Sequence, residues 1–408
     1  MMPKRLLQFL FAVLLLLPLG TQAAVSTVWL EDPASVNGAT GDASTIHWAA
    51  ITGTVTFDTT VKNNGLGSWK YNSGATARLQ TPAGILADTG ARISFYLYLG
   101  SLPPSTGTIL GIQTSGGTAR FQIQGKADGT LLLKGAGAGT LSKAGSTVLS
   151  TGTFYRVSMG YTVTSASVFT INVFLNGAAE ISATGSDGTL GGTGTNRFAI
   201  GNLTGLTWAN VYSQNHFVDN RTDNADPGGG VSGLNVLNTT SKRPLSNGTA
   251  NNFVTQIGAG GSGYGSGHSP QVNERPASDT NGWSVVAVAA TTEEYNIEGA
   301  AVGDVDLSAS TLVARMAWVR AKSLIAETGQ IILDNTTSNI ALTSTITTFT
   351  KVDGTTTYPA GTGTDVGVIS SATETTVSLY EAGSVFAYNY VAPSAGVVPR
   401  RMLMGVGQ

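Results

Sequence analysis

The sequence predicts an all-β chain, an antiparallel jelly-roll β-sandwich followed by a smaller β-rich domain. Three observations carry this. Apolar and polar residues alternate with a period of two through a succession of short segments. Asn-Gly, Asp-Gly and single Gly turn signals separate those segments at near-regular spacing. In the N-terminal half no segment of useful length shows the helical period instead, and later TLVARMAWVRAKS, which could also make a short helix, is read as a strand.

The elements follow in order. ARISFYLYLG puts Ile93, Phe95, Leu97 and Leu99 on one face and Ser94, Tyr96 and Tyr98 on the other. FQIQGKADGTLLLKG reads as a hairpin around Asp128-Gly129, with Phe121 and Ile123 facing Leu131 and Leu133. FYRVSMGYTV alternates through Tyr155, Val157, Met159, Tyr161 and Val163. In FTINVFLNGAAEIS, Phe169, Ile171, Val173 and Leu175 form a buried face, and Asn176-Gly177 tolerates the positive φ of a tight hairpin turn. RFAIGNL follows near Phe198. Short strands with such turns predict a sandwich.

The succession ISFYLYLG, ADGTLLL, TGTFYRVSMGYTV, FTINVFLNG and NHFVDNRTDN, within about residues 30–235, resembles the laminin-G-like branch of the concanavalin A-like lectin and glucanase superfamily. The resemblance implies two antiparallel sheets, with carbohydrate or protein ligands at a sheet face or rim. Proteins of this build also occur as phage virion components. After Asp226 the texture changes to the glycine-dense PGGGVSGLN and GAGGSGYGSGHSP, which read as linker. Beyond it, VNERP, the strand ARMAWVRAKS and a late EAG are similar to the small β-rich unit that follows laminin-G-like domains in some phage virion proteins. The expected organisation is a signal peptide (1–23), a sandwich (24–235), a glycine-rich linker (236–270), a β-rich domain (271–395) and a tail (396–408). The stretch Gly258 to Pro270 is expected to let the two units fold independently.

Composition excludes several functions. Only 11% of the 408 residues are charged and the net charge is −2, against roughly 25% charged in ordinary soluble domains. Lys and Arg are scattered, so the basic field that nucleic acid requires is missing. Absence of cysteine removes disulfides, thiolate nucleophiles and cysteine metal sites. Lys4 and Arg5, the apolar run Leu6 to Gly20, and the small residues Thr21 and Ala23 have the three parts of a secretory signal peptide. That run is shorter than the ~20 residues of a membrane span. The mature chain is therefore expected to be secreted or extracytoplasmic, with no transmembrane segment after leader cleavage. Virion association is the alternative.

A glucanase of the superfamily would need paired carboxylates on one strand, as E-x-D-x-x-E or a close variant. No such motif occurs. Glu293-Glu294 with Glu298, and Asp304 with Asp306, read as solvated turn carboxylates. His47, His216 and His268 sit in no recognisable nucleophile context, and G-x-S-x-G, H-E-x-x-H and the phosphate-cradling loop are missing. The expectation is a non-enzymatic β-sandwich without cofactor that binds a glycan or a surface protein. The alternatives are a structural component of a virion or surface assembly, self-associating or joined to other coat proteins, and a divergent glycan hydrolase or lyase. Tyr96, Tyr98, Trp208 and Tyr212 are the candidate sugar-stacking residues, with burial between the sheets as the competing reading. In FVDNRTDNADPGGG, Asp219, Asp223 and Asp226 offer hard oxygen ligands for calcium. They are also ordinary turn formers, and the turn is the expected reading.

Export gives the first prediction. N-terminal sequencing of protein recovered outside the cytoplasm should begin at or next to Ala24, and Met1 on a membrane-bound product would overturn it.

Overall fold

The computed structural model describes residues 27–389 apart from 32–40, 43–47, 64–66, 88, 136–140, 164–167, 187–196, 209, 229–236, 259–265, 273–278, 288, 301–306, 335, 354–365 and 372–374. The leader, the tail, His47, Asp304, Asp306 and most of the two glycine-dense runs lie outside the described residues. Among the described residues the structure is strand and turn, with one 3-10 turn at Ser269–Gln271. No described helix is long and apolar enough to cross a membrane.

Residues 27–219 form two antiparallel sheets. The nine-stranded sheet runs Ala178–Ser186, Val168–Leu175, Phe154–Val163, Gly90–Leu99, Val211–Asp219, Ser68–Tyr71, Val55–Asp58, Gly41–Asp42, with Thr27–Glu31 added on Val211–Asp219. The seven-stranded sheet runs Ser142–Ala144, Leu131–Gly135, Ala119–Gly125, Gly107–Gln113, Arg197–Asn202, Ala77–Gln80, Ala50–Thr52. Turn chemistry sets the register. Asn176 (φ 52) and Gly177 (φ 84) close the predicted hairpin and bring Leu175 opposite Ala178. At the second hairpin Gly129 (φ 85) makes the turn, and the Thr130 N–H donates to Asp128 Oδ1 at 3.0 Å. Ile93, Phe95 and Leu97 from one sheet and Ile112, Phe121, Ile123 and Leu133 from the other share one buried cluster.

Residues 238–389 form a six-stranded and a five-stranded sheet. The longest strand, Thr375–Asn389, pairs with Thr311–Ser323, Gly282–Ala287 and Asn238–Lys242. Asn238–Lys242, Pro244–Asn251 and Thr255–Ile257 lie within 236–270, so much of that stretch is sheet rather than linker. Short runs of Ser, Thr and Asn concealed these strands. Asn238–Lys242 pairs with Thr375–Asn389, Pro244–Asn251 with Thr292–Ile297 and Thr255–Ile257 with Gly282–Ala287, and local alternation cannot reveal such non-local pairing.

The two halves share interior. Met316, Trp318, Val385 and Ala387 belong to the same buried cluster as Trp29 and Leu30. The Thr239 hydroxyl donates to the Glu31 carbonyl at 2.8 Å, and Asn215 Nδ2 donates to Asn238 Oδ1 at 3.1 Å. Trp318→Ala should therefore cost about 3–5 kcal/mol. It should shift one common thermal transition, measured by calorimetry. Two separated transitions in the wild type would show that the shared core does not couple the halves.

Candidate functional site: the polar face of the nine-stranded sheet

Strand alternation sends Val157, Met159 and Tyr161 into the sandwich and leaves Phe154, Arg156, Ser158 and Gly160 on the opposite face. The neighbouring strands add Tyr98, Tyr96, Ser94 and Arg92, then Tyr212 and Gln214. At one rim the register makes a cross-strand row of Phe154, Tyr98, Tyr212 and Lys70. Ring centroids are 5.0 Å apart for Phe154 and Tyr98, and 5.4 Å apart for the edge-on pair Tyr98 and Tyr212. Lys70 Nζ lies 5.9 Å from the Tyr212 ring centroid. Phe154, Tyr98 and Lys70 stay partly exposed, while Tyr212 is buried. Burial, then the charge of Asp58, push the Tyr212 hydroxyl up to about 12. Tyr212 is thus a neutral hydrogen-bond donor at ordinary pH, and its hydroxyl points to Asp58 Oδ2 at 3.5 Å.

The rest of this face is covered. The segment after Asp219 turns back as a strap over Arg156, Gly160 and Thr162. Arg156 holds Asp226 in a bidentate pair, Nη1 and Nη2 each 2.8 Å from a carboxylate oxygen. Arg92 donates to Asp219, with Nη2 at 2.6 Å from Oδ2, and through Nη1 to Asp223 at 3.3 Å. Arg92, Arg156, Asp219 and Asp226 are all buried. Gly160 matters because a Cβ there would lie 2.7 Å from the Asn224 carbonyl carbon, so only glycine admits the strap backbone. The Thr162 hydroxyl donates to Thr222 O at 2.9 Å and Asn172 Nδ2 to Asn224 O at 3.1 Å, which satisfies strap carbonyls.

The sequence-derived candidates separate accordingly. Tyr98 and Tyr212 come together at the rim. Tyr96 is on the same face but fully buried. Trp208 fills the interior, packed on Gly107 and Gly125, its indole N–H donating to Ser101 O at 2.9 Å. Asp219, Asp223 and Asp226 do not converge as an ion cage. Each is directed to an arginine, and among the described residues no group of three His, Asp or Glu could hold a metal. Phe154, Lys70, Arg92 and Arg156 were missed as site residues. The signal for the arginines was present, since a cation inside an alternating strand needs a carboxylate partner.

Two histidines have more definite surroundings than the sequence suggested. Inside the sandwich, His216 Nδ1 lies 2.6 Å from Glu31 Oε2 and Nε2 lies 2.9 Å from Ser213 Oγ. Ser213 Oγ is 2.6 Å from Tyr71 OH, and the Trp69 indole N–H donates to Glu31 Oε1 at 2.7 Å. The order Glu-His-Ser imitates a nucleophile relay, but Glu31, His216, Ser213 and Tyr71 are at most 1% exposed and their polar atoms partner one another, so the array is an internally satisfied network and offers no group to a ligand. In the second half, His268 stacks on Trp283 with centroids 3.6 Å apart and its Nδ1 lies 2.6 Å from Glu293 Oε1. Glu293 and Glu298 are buried, not solvated turn carboxylates as expected.

No protein family is matched by the chain, and none of the curated proteins matches it in sequence. Among solved structures it is similar to an endo-β-1,4-glucuronan lyase from the fungus Trichoderma reesei. That pair is 14% identical with TM-score 0.37, over 47% of this chain and 99% of the other. It is also similar to Trypanosoma rangeli sialidase (15% identity, TM-score 0.32, 45% of this chain and 30% of the other). A third likeness is to domain 4 of a GH43 extracellular arabinanase from Geobacillus stearothermophilus (16%, TM-score 0.30, 41% and 76%). These likenesses are of fold alone. The expectation of a non-enzymatic protein finds no support in them, since the similar structures come from a lyase, a sialidase and an arabinanase, and likenesses this distant assign no activity to this chain. A missing sequence motif does not decide activity, since chemistry resides in sites and not in folds.

Variant stability, melting with calcium or chelator, and alkaline unfolding check this geometry. Asp226→Asn should leave Arg156 buried without its counter-charge and cost about 3–5 kcal/mol. Asp223→Ala, whose carboxylate is 50% exposed, should stay within about 0.5 kcal/mol. Calcium and chelator should give superimposable melting curves for the wild type. For Tyr212 the folded-state value lies above the unfolded one, so its contribution is complete below pH ~10 and is lost as pH rises towards about 12. Alkaline titration of unfolding should therefore be shallower in Tyr212→Phe than in wild type.

Proposed function

We propose that residues 24–235 are an exported jelly-roll sandwich of the laminin-G-like type that binds a glycan at the rim of its nine-stranded sheet. The observation that supports this reading is the row Phe154, Tyr98, Tyr212 and Lys70 on adjacent strands. Aromatic faces offer sugar rings flat apolar area, and a neighbouring cation and carboxylate supply directional hydrogen bonds to hydroxyls. Lys70 and Asp58 stand at the Tyr212 end of the row in those roles. The strap confines access to this rim, because the arginine floor beyond it is taken by Asp219 and Asp226. The order of strand and turn segments noted in the sequence supports the laminin-G-like assignment, and the leader supports export.

The test is calorimetric titration with a panel of neutral and acidic oligosaccharides. At least one should bind. Lys70→Ala and Tyr98→Leu should each weaken it about tenfold, or ~1.4 kcal/mol, with melting temperature nearly unchanged for Lys70→Ala. Self-association without binding to any glycan would overturn the reading in favour of assembly. Release of new sugar ends from the bound glycan would change it to glycan cleavage.

A further inference from the structure

The seven-stranded sheet carries a second polar face, and its charge is one-sided. Its four adjacent strands Ala119–Gly125, Gly107–Gln113, Arg197–Asn202 and Ala77–Gln80 contain Arg120, Arg197, Arg78 and four glutamines, with no Asp or Glu. At one corner Gln113 pairs with Arg197 on one side and with Ala119 on the other. The register shifts between Ile112 and Gln113, so Arg120 is the extra, bulged residue beside Gln113. Gln80 Nε2 donates to Gln113 Oε1 at 2.5 Å, which fixes the amide. The turn at Gly117 (φ +84) comes over the same corner, and a Cβ there would lie 3.1 Å from Arg197 Nη2 and 3.9 Å from Gln80 Nε2.

The arginines here differ from Arg92 and Arg156, which have carboxylates. Arg120 is 2% exposed, yet its Nε and Nη2 have no hydrogen-bond partner among the described residues, and neither does the buried Nε of Arg197. A guanidinium stays charged at any ordinary pH, so it cannot escape burial by losing a proton. Burying one with unused donors is costly, and an anion that accepts in the plane of the fork removes that cost. Burial also lowers the Arg120 pKa, in line with a cation lacking its counter-charge.

We propose that the corner formed by Arg120, Arg197 and Gln113 is a binding site for an oxyanion, the carboxylate or sulfate group of an acidic sugar. It lies on a different sheet from the aromatic rim and does not depend on glycan binding there. Arg120 supplies the N–H groups of Nε and Nη2 and Arg197 that of Nε, and Gln113, its amide oxygen engaged by Gln80, lies on the strand between them.

The probes are sodium sulfate and sodium glucuronate, each compared with sodium chloride at equal ionic strength, on the whole chain. Sulfate also stabilises proteins without binding, so a saturable response is the readout. Both the melting temperature and direct calorimetric titration should saturate with at least one anion, and sulfate against glucuronate separates the two sources. In Arg120→Gln the saturable response should vanish, and its melting temperature without anion should equal or exceed that of wild type. Arg197→Gln should weaken the anion severalfold. Tyr98→Leu should keep the response, which distinguishes failure here from failure at the rim. An unsaturable rise identical in wild type and both arginine variants would overturn the site. So would a destabilised Arg120→Gln whose anion response equals that of wild type.

Discussion

The bidentate pair between Arg156 and Asp226 is the interaction on which the N-terminal sandwich depends. Both side chains are removed from water, and a charge so placed is tolerated only with its partner. The pair brings the strap onto the sheet, and the strap in turn makes the other features intelligible. At Gly160 a side chain would strike the strap backbone. Gly228 lies against the Arg156 guanidinium, where a Cβ would come within 2.6 Å of Nη1. Arg92 with Asp219 repeats the arrangement along the same face.

This covering determines where a ligand can approach. A sheet with one face in the core and one polar face would ordinarily offer the whole polar face to solvent. Here the middle of that face is filled by protein carboxylates, and the exposed aromatic and cationic groups remain at the rim. The opposite sheet has the complementary situation, with arginines that no carboxylate among the described residues reaches. One chain thus shows both outcomes of placing guanidinium groups on a sandwich.

The interior holds polar chemistry for another reason. Trp69, Glu31, His216, Ser213 and Tyr71 form a continuous hydrogen-bonded chain across three strands. Each group would be costly to bury alone, and together their hydrogen bonds are satisfied. Because Glu31 also accepts from Thr239 through its backbone, this network reaches the seam between the two halves. We read it as a device that selects one strand pairing, since a slip of one residue would leave each member unpaired.

Much of the fold was legible because strands and turns are written locally. Period-two alternation in Phe169–Leu175, the Asn176-Gly177 turn and the Asp128-Gly129 hairpin need only neighbours a few residues apart. The outward face of Tyr96 and Tyr98 was likewise legible, from the alternation of their strand. Tertiary structure decided what alternation cannot. It placed Trp208 in the core, since the size of an indole does not say which side of a sheet it takes. It paired Asp226 with Arg156 across 70 residues of sequence, so that the acidic loop read as a turn lies over the sheet as a strap. It made strands of Asn238–Lys242 and Pro244–Asn251, whose partners are distant. The sequence by itself determined the all-β class and the main hairpins, because these rest on local backbone preference and on the burial of one face. Only the tertiary structure decided which charges meet, because the partner of a buried charge is set by proximity in space and leaves no periodic mark along the chain.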